Sequence, residues 1–263
     1  MTDLKIASIQ SDLIWENPDE NLKNFDKKID SIKDNPDIII LPEMFNTGFS
    51  INPTKCAEPM DGEAVKWLKN KASERNCVIC GSILINEGTK NLNRMIWMRP
   101  DGSYSTYDKR HLFRLSDEYK VMDSGNKRTI VDINGWKINL LVCYDLRFPV
   151  WARNTFKDGA YEYDAIIYVA NWPASRSHIW QTLLRARAIE NQCYVIGVNR
   201  VGKDGFGTNH SGDSMVIDPI GNIISQLNPN EELVEVNNLS AQTLIDFRTS
   251  IPFCLDWDAF ELK

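Results

Sequence analysis

Apolar positions along this chain fall into short runs with two different periods. Leu4 to Ile9 and Asp37-Ile38-Ile39-Ile40-Leu41 are near-continuous apolar stretches, as expected of buried strands. Between them Leu22, Phe25, Ile29 and Ile32 recur at helical spacing, while Asn17, Pro18 and Glu20 supply a cap, a first-turn proline and a capping-box partner. Asp61 to Arg75 is predicted helical, with Val65, Leu68 and Ala72 on one side, and a strand follows over Cys77 to Ile85. Turn signals then multiply. Pro100-Asp101-Gly102 separates Arg94 to Arg99 from Ser103 to Tyr107, and Asn134-Gly135 separates Thr129 to Ile133 from Trp136 to Val142, so each predicts a hairpin.

After Val142 the pattern predicts a short helix, a strand over Asp164 to Ala170, a helix over Ser177 to Asn191 and a strand over Cys193 to Asn199. Ser211 to Asp218 and Ile223 to Leu227 read as a hairpin around Pro219-Ile220-Gly221-Asn222, and Ser240 caps a last helix that stops before Pro252. Hairpins among βα units predict an α/β fold with mixed sheets and helices outside, in one domain over residues 1–263. Two such sheets face to face would make a four-layer αββα sandwich, a step that pattern alone does not force.

Composition narrows the partners. With 263 residues, 43% of them hydrophobic, and eight tryptophans, the chain can bury a large core. A net charge of −6 and a pI near 5.2 argue against nucleic acid or an anionic membrane surface. The first residues lack a signal-peptide pattern and no apolar stretch approaches membrane length, so a soluble cytoplasmic protein is expected. The six cysteines then read as reduced thiols. Cys77-Val78-Ile79-Cys80 has the letters of a redox motif, but inside a strand its two thiols point to opposite faces. His111, His178 and His210 show no paired ligand spacing, so no metal is expected.

The chemistry gathers where apolar runs end. Leu140-Leu141-Val142-Cys143-Tyr144-Asp145-Leu146-Arg147-Phe148-Pro149 reads as a strand breaking into a sharp turn, which would lift the Cys143 thiol out of the sheet and aim the Tyr144 N–H at whatever it attacks. Glu43 follows another strand in Leu41-Pro42-Glu43-Met44-Phe45-Asn46-Thr47-Gly48-Phe49, and Lys109 a third in Tyr107-Asp108-Lys109-Arg110-His111-Leu112-Phe113. A free thiol needs a base or a cation. His111 or His178 could serve, or Glu43 could take the proton and hand it to a leaving amine while Lys109 favours the thiolate and meets the oxyanion. Taken singly, each has a plainer reading: Cys143 a core thiol, Lys109 and Glu43 solvated charges.

Together these stretches resemble the nitrilase superfamily with its Glu-Lys-Cys triad, and the likeness, extending through Asn171-Trp172-Pro173 and Ala186-Arg187-Ala188-Ile189-Glu190-Asn191-Gln192, is strongest to the omega-amidases. The resemblance implies the αββα sandwich, a homodimer, no cofactor and no metal, with Glu43, Lys109 and Cys143 catalytic, Tyr144 giving a backbone oxyanion donor, and Glu118 supporting Lys109 or the hydrolytic water. The family's His-Trp pair is Ile179-Trp180 here, with His178 one place earlier. The implied reaction is hydrolysis of the side-chain amide of a small 2-oxo acid such as 2-oxoglutaramate or 2-oxosuccinamate. For the substrate's remote carboxylate Arg176 is the candidate cation, while Phe45, Tyr144 and Trp172 are candidate pocket walls against a default of core packing. Arg147, Arg187 and Glu190 fit structural ion pairs equally well. The triad itself leaves deaminated glutathione, N-carbamoyl amines and nitriles open as substrates. A non-catalytic binding protein on the same fold is the alternative of a different class.

Overall fold

The computed structural model describes residues 1–261. Among these, two six-stranded mixed sheets carry the fold. The first runs in the order Leu233–Leu239, Leu4–Gln10, Ile38–Ile40, Val78–Glu87, Lys90–Met98, Tyr104–Asp108; its middle three strands are parallel and its outer pairings antiparallel. The second runs Ile223–Gln226, Met215–Ile217, Tyr194–Asn199, Ala165–Ala170, Trp136–Val142, Ile130–Ile133, again with a parallel centre.

Period-2 alternation sorts the side chains into layers. Leu4, Ile6, Ile38, Ile40, Cys80 and Trp97 of the first sheet pack into one core with Leu140, Val142, Ile167 and Val169 of the second. Their neighbours Ala7, Ile9, Ile39, Leu41 and Ile79 face the other way, onto Phe25 and Ile29 of helix Pro18–Asp30 and Leu68 and Ala72 of helix Glu63–Arg75. Trp180, Leu184 and Ala188 of helix Ser177–Asn191 cover the second sheet. The expected αββα sandwich is the observed one. Cys77 and Cys80 fall in the two different core clusters, as their spacing required. Burial pushes the Cys77 thiol up to about 11 and the Cys80 thiol higher still, so neither forms a thiolate near neutral pH.

The expected caps hold: Asn17 Oδ1 accepts from the Glu20 N–H at 3.3 Å and Ser240 Oγ from the Thr243 N–H at 3.2 Å. Several boundaries differ: the strand expected over Arg94 to Arg99, for one, runs Lys90–Met98. The second helix begins at Glu63 rather than Asp61, because the Glu58 carboxylate accepts from the Ala64 and Val65 N–H groups at 3.2 and 3.1 Å and caps it from outside. The strand read over Ser211 to Asp218 is broken at Gly212 and Asp213, both at positive φ. Asn209–Ser211 pairs instead with Val201–Lys203 in a separate hairpin, and only Met215–Ile217 enters the sheet. Leu233–Leu239, unread in the sequence, pairs with all seven residues of Leu4–Gln10. Among the described residues no helix is long and apolar enough to cross a membrane.

Candidate active site

Each of the three chemical groups sits just past a strand end. Ile38–Ile40 is parallel to Val78–Glu87, and two antiparallel steps restore that direction in Tyr104–Asp108. Glu43 and Lys109 therefore emerge at the same edge of the first sheet. Cys143 follows Trp136–Val142 in the facing sheet, beside Asn171, which follows the parallel strand Ala165–Ala170. Two turns here are strained: Met44 and Cys143 are both non-glycine residues at φ +45°, a conformation costing about 1–2 kcal/mol per residue. Hydrogen bonds hold the first, with the Met44 N–H donating to Ser82 Oγ at 2.9 Å and the Gly48 N–H to the Met44 carbonyl at 2.8 Å.

Lys109 is clamped between two carboxylates. Its Nζ lies 3.0 Å from Glu43 Oε1 and 3.0 Å from each oxygen of Glu118, and all three residues are buried. Asn93 Nδ2 donates to the same Glu43 oxygen at 2.8 Å, the Asn171 N–H to the other at 2.8 Å, and the Phe113 N–H to Glu118. Burial alone would push Lys109 down, but the charges of Glu118 and Glu43 outweigh it and hold the ammonium well above its ordinary range. Glu118 is raised, chiefly by burial, with Lys109 pulling the other way.

Cys143 is raised well above an ordinary thiol, first by burial and next by the Glu43 charge, with Lys109 opposing. The lysine's expected pull toward thiolate is therefore outweighed. At rest the group is a neutral thiol beside a carboxylate, suited to giving up its proton as it attacks rather than beforehand.

Glu43, Lys109 and Cys143 open onto one cavity of about 380 Å³, within the range of small-ligand sites. Phe49, Phe113, Trp172 and Phe206 give it an apolar wall, and Arg147 and Arg176 place two guanidinium groups in it. Arg147 lies 5.1 Å from the Trp172 ring centroid and Arg176 5.4 Å from that of Phe113, each stacked at cation–π range. Tyr144 also lines the cavity, in the first turn of the 3₁₀ segment Cys143–Arg147, where N–H groups lack intrahelical acceptors.

Phe45 is a correction. It is fully buried away from the cavity, its ring edge-on to Phe25 at 5.6 Å and tilted against Trp67 at 5.7 Å, because the chain turns after Glu43 and sends Phe45 into the helix-side core with Leu41 and Ile79. His178 is exposed on its helix and does not reach the cavity. Arg187 and Glu190 form an ion pair at 2.8 Å away from the cavity. Asn93 and Asn171 were missed as site residues. Asn93 shares a strand face with Met95 and Trp97, and an amide running directly into that apolar face is a signal the sequence did carry. Asp204, Phe206, Thr208 and His210, from the hairpin that the sequence did not show, also line the cavity.

The carbon-nitrogen hydrolase family model matches residues 5–249. The chain is 44% identical to omega-amidase YafV of Escherichia coli strain K12 over 262 residues, spanning 100% of both chains. It is 32% identical to 2-oxoglutaramate amidase of Bacillus subtilis, covering 94% of this chain and 95% of that one. Its fold superposes with a TM-score of 0.98 on the crystal structure of XC1258 from Xanthomonas campestris, a CN-hydrolase superfamily protein with an arsenic adduct in its active site, at 41% identity over 100% of both chains.

Proposed function

This chain belongs to the carbon-nitrogen hydrolase family, and on that premise we propose that it is an omega-amidase, hydrolysing the side-chain amide of 2-oxoglutaramate, and of 2-oxosuccinamate, through a cysteine thioester. One observation carries the mechanism: Glu43 is bonded to Lys109 and opens with it and Cys143 onto a single cavity. Glu43 accepts the thiol proton as Cys143 Sγ attacks the amide carbon. The oxyanion is met by the Lys109 ammonium and the Tyr144 N–H. Glu43 then gives its proton to the departing ammonia, leaving a thioester. Water, deprotonated by Glu43, attacks that thioester, releasing the 2-oxo dicarboxylate and restoring the thiol. Glu118 supports the cycle by keeping Lys109 charged and in place. A preorganised donor such as the lysine lowers the barrier by about 3–4 kcal/mol.

The substrate's remote carboxylate needs a cation, and Arg176 in the cavity wall supplies one, with Trp172 holding its backbone carbonyl at 2.8 Å. The first test is ammonia release from 2-oxoglutaramate by the wild type, Cys143→Ala and Arg176→Ala. Enzymatic turnover that vanishes in Cys143→Ala supports the reaction and the nucleophile together, and a raised KM in Arg176→Ala supports the carboxylate contact. An unchanged KM removes Arg176 from the site. No wild-type turnover, with Cys143 still readily alkylated, would direct the search to bulkier amides, which the apolar wall would suit. An inert Cys143 would sink the catalytic reading.

The homodimer and cytoplasmic placement expected from the sequence belong to this proposal. Ile189, Ile220, Ile251 and Phe253 are exposed, Ile189 abuts Gly221, and Gln192 bonds the Ile251 carbonyl, and these apolar side chains are the ones a second copy would cover. Sedimentation equilibrium at twice the chain mass supports the dimer; the single-chain mass removes it.

A further inference from the structure

The proposed mechanism leaves one wholly buried carboxylate unused. Asp145 stands two residues past Cys143 and makes four contacts. Its Oδ2 accepts from the Val142 N–H at 3.1 Å and the Tyr107 hydroxyl at 2.7 Å. Its Oδ1 accepts from the His111 N–H at 3.0 Å and lies 2.7 Å from His111 Nδ1. Val142 and Asp145 bracket the strained Cys143, while Tyr107 and His111 bracket Lys109. A single carboxylate thus ties the nucleophile's turn to the lysine's segment, across the gap between the two sheets.

The histidine is fixed on its other side too. Its ring stacks on Phe148, with centroids 3.7 Å apart and planes at 7°, and Phe148 ends the same turn that begins at Cys143. An ionised carboxylate can only accept, so Nδ1 carries the proton in this arrangement. Trp151 Nε1 donates to the Tyr107 hydroxyl at 2.9 Å, and Arg187 Nη2 to the Leu146 carbonyl at 2.6 Å, which steadies the turn from behind. Left-handed strain at a non-glycine residue persists only where the surroundings over-determine it, and here those surroundings converge on Asp145.

We propose that His111 is a positioning residue for the reaction: through its Nδ1–H bond to Asp145 it sets where the Cys143 thiol stands relative to Lys109 and Glu43. It is only partly buried, and it lies outside the cavity lining, so it acts through Asp145 rather than on the substrate. The inference rests on the Glu-Lys-Cys mechanism proposed above but not on the identity of the amide. A plain structural strut in this position would lower thermal stability and leave the folded enzyme's kinetics intact.

Two substitutions separate those roles. His111→Phe keeps a ring to stack on Phe148 and removes the donor; His111→Asn gives up the stack and keeps an N–H near Nδ1. The readouts are kcat and KM on the amide substrate, the rate of Cys143 alkylation by iodoacetamide at one fixed pH, and the Tm. His111→Phe is expected to lower kcat by about a hundredfold, the cost of roughly an ångström of misplacement, with KM little changed and alkylation slowed in step. His111→Asn is expected to stay within a few-fold of wild type on both rates, even if its Tm falls further. The idea is overturned if folded His111→Phe keeps wild-type kcat and alkylation, or if His111→Asn loses them equally. Should His111→Phe not fold, Asp145→Asn, which keeps one acceptor and breaks one arm, must show the same paired loss. If the wild type releases no ammonia from 2-oxoglutaramate, the substrate assignment fails while the alkylation comparison still decides the positioning role.

Discussion

Glu118 decides over what range Lys109 stays charged. Burial alone drives a lysine toward its neutral form, and two carboxylates at 3.0 Å reverse that here. Removing Lys109 would strand both carboxylates in a dry site at a folding cost of about 3–5 kcal/mol, so its loss is a poor test of chemistry. Glu118→Gln is better, since the amide oxygen can still accept from Phe113 and only one charge is lost. With one carboxylate fewer, burial is less opposed and Lys109 gives up its proton at lower pH. The alkaline limb of the kcat/KM profile should therefore move to lower pH, with kcat down on the order of a hundredfold. An unmoved limb and an unchanged kcat would show that Glu118 has no part in charging the lysine. At this scale motif and strand end coincided at Glu43, Lys109 and Cys143, which the structure brings to one cavity, whereas Glu118, on the short helix Glu118–Val121, was read from the family resemblance alone. The sequence was not legible for Asn171, whose backbone N–H donates to the Glu43 carboxylate and whose Nδ2 donates to the Glu43 backbone carbonyl, contacts that form only when the two sheets face each other. Phe45 shows the converse error: it sits two residues from Glu43 in the chain, yet its ring belongs to the helix-side core.

Among the elements, those bearing a full period declared themselves. Ile38–Ile40 and Ala165–Ala170 are buried along their whole length and read as strands from composition alone. Leu233–Leu239 did not, because it is an edge strand: its residues are mostly half-buried, with Glu235, Asn237 and Asn238 diluting the apolar alternation. What makes it a strand is its antiparallel partner Leu4–Gln10, a contact separated by most of the chain. The hairpin Val201–Lys203 and Asn209–Ser211 is hidden for a similar reason. Its three-residue strands are too short to show a period, and its base is fixed by buried Arg200, whose Nη2 reaches Asp12 at 2.6 Å and the Leu13 carbonyl at 3.2 Å. The hairpin matters because it brings Phe206 and His210 to the cavity wall. The hairpin side of the cavity wall was thus less readable than the proposed Glu43, Lys109 and Cys143 triad.

For the molecule as a whole, that same hairpin links the site to global stability. His210 is 3% exposed and is held neutral: burial first, and the nearby Arg200 charge next, push it from 6.5 down to about 4, against the opposing pull of Asp204. The unfolded chain takes up a proton as pH falls through 6.5, whereas the folded chain refuses it until about 4. Across that window the unfolded state binds more protons, so stability is lost as pH falls and is fully present above it. The depression is worth about 3 kcal/mol at the acid end, a large part of the 5–15 kcal/mol or so that typically holds a folded domain together. Urea unfolding above pH 6.5 and near pH 4, for the wild type and His210→Asn, isolates this contribution from that of the rest of the chain. The wild type should lose about 3 kcal/mol more than the variant on acidification. Equal losses would mean that His210 protonates freely in the folded state. Because His210 and the connecting loop 204–208 of this hairpin wall the cavity, acid should loosen the substrate side of the site before the buried Glu43–Lys109–Glu118 cluster gives way.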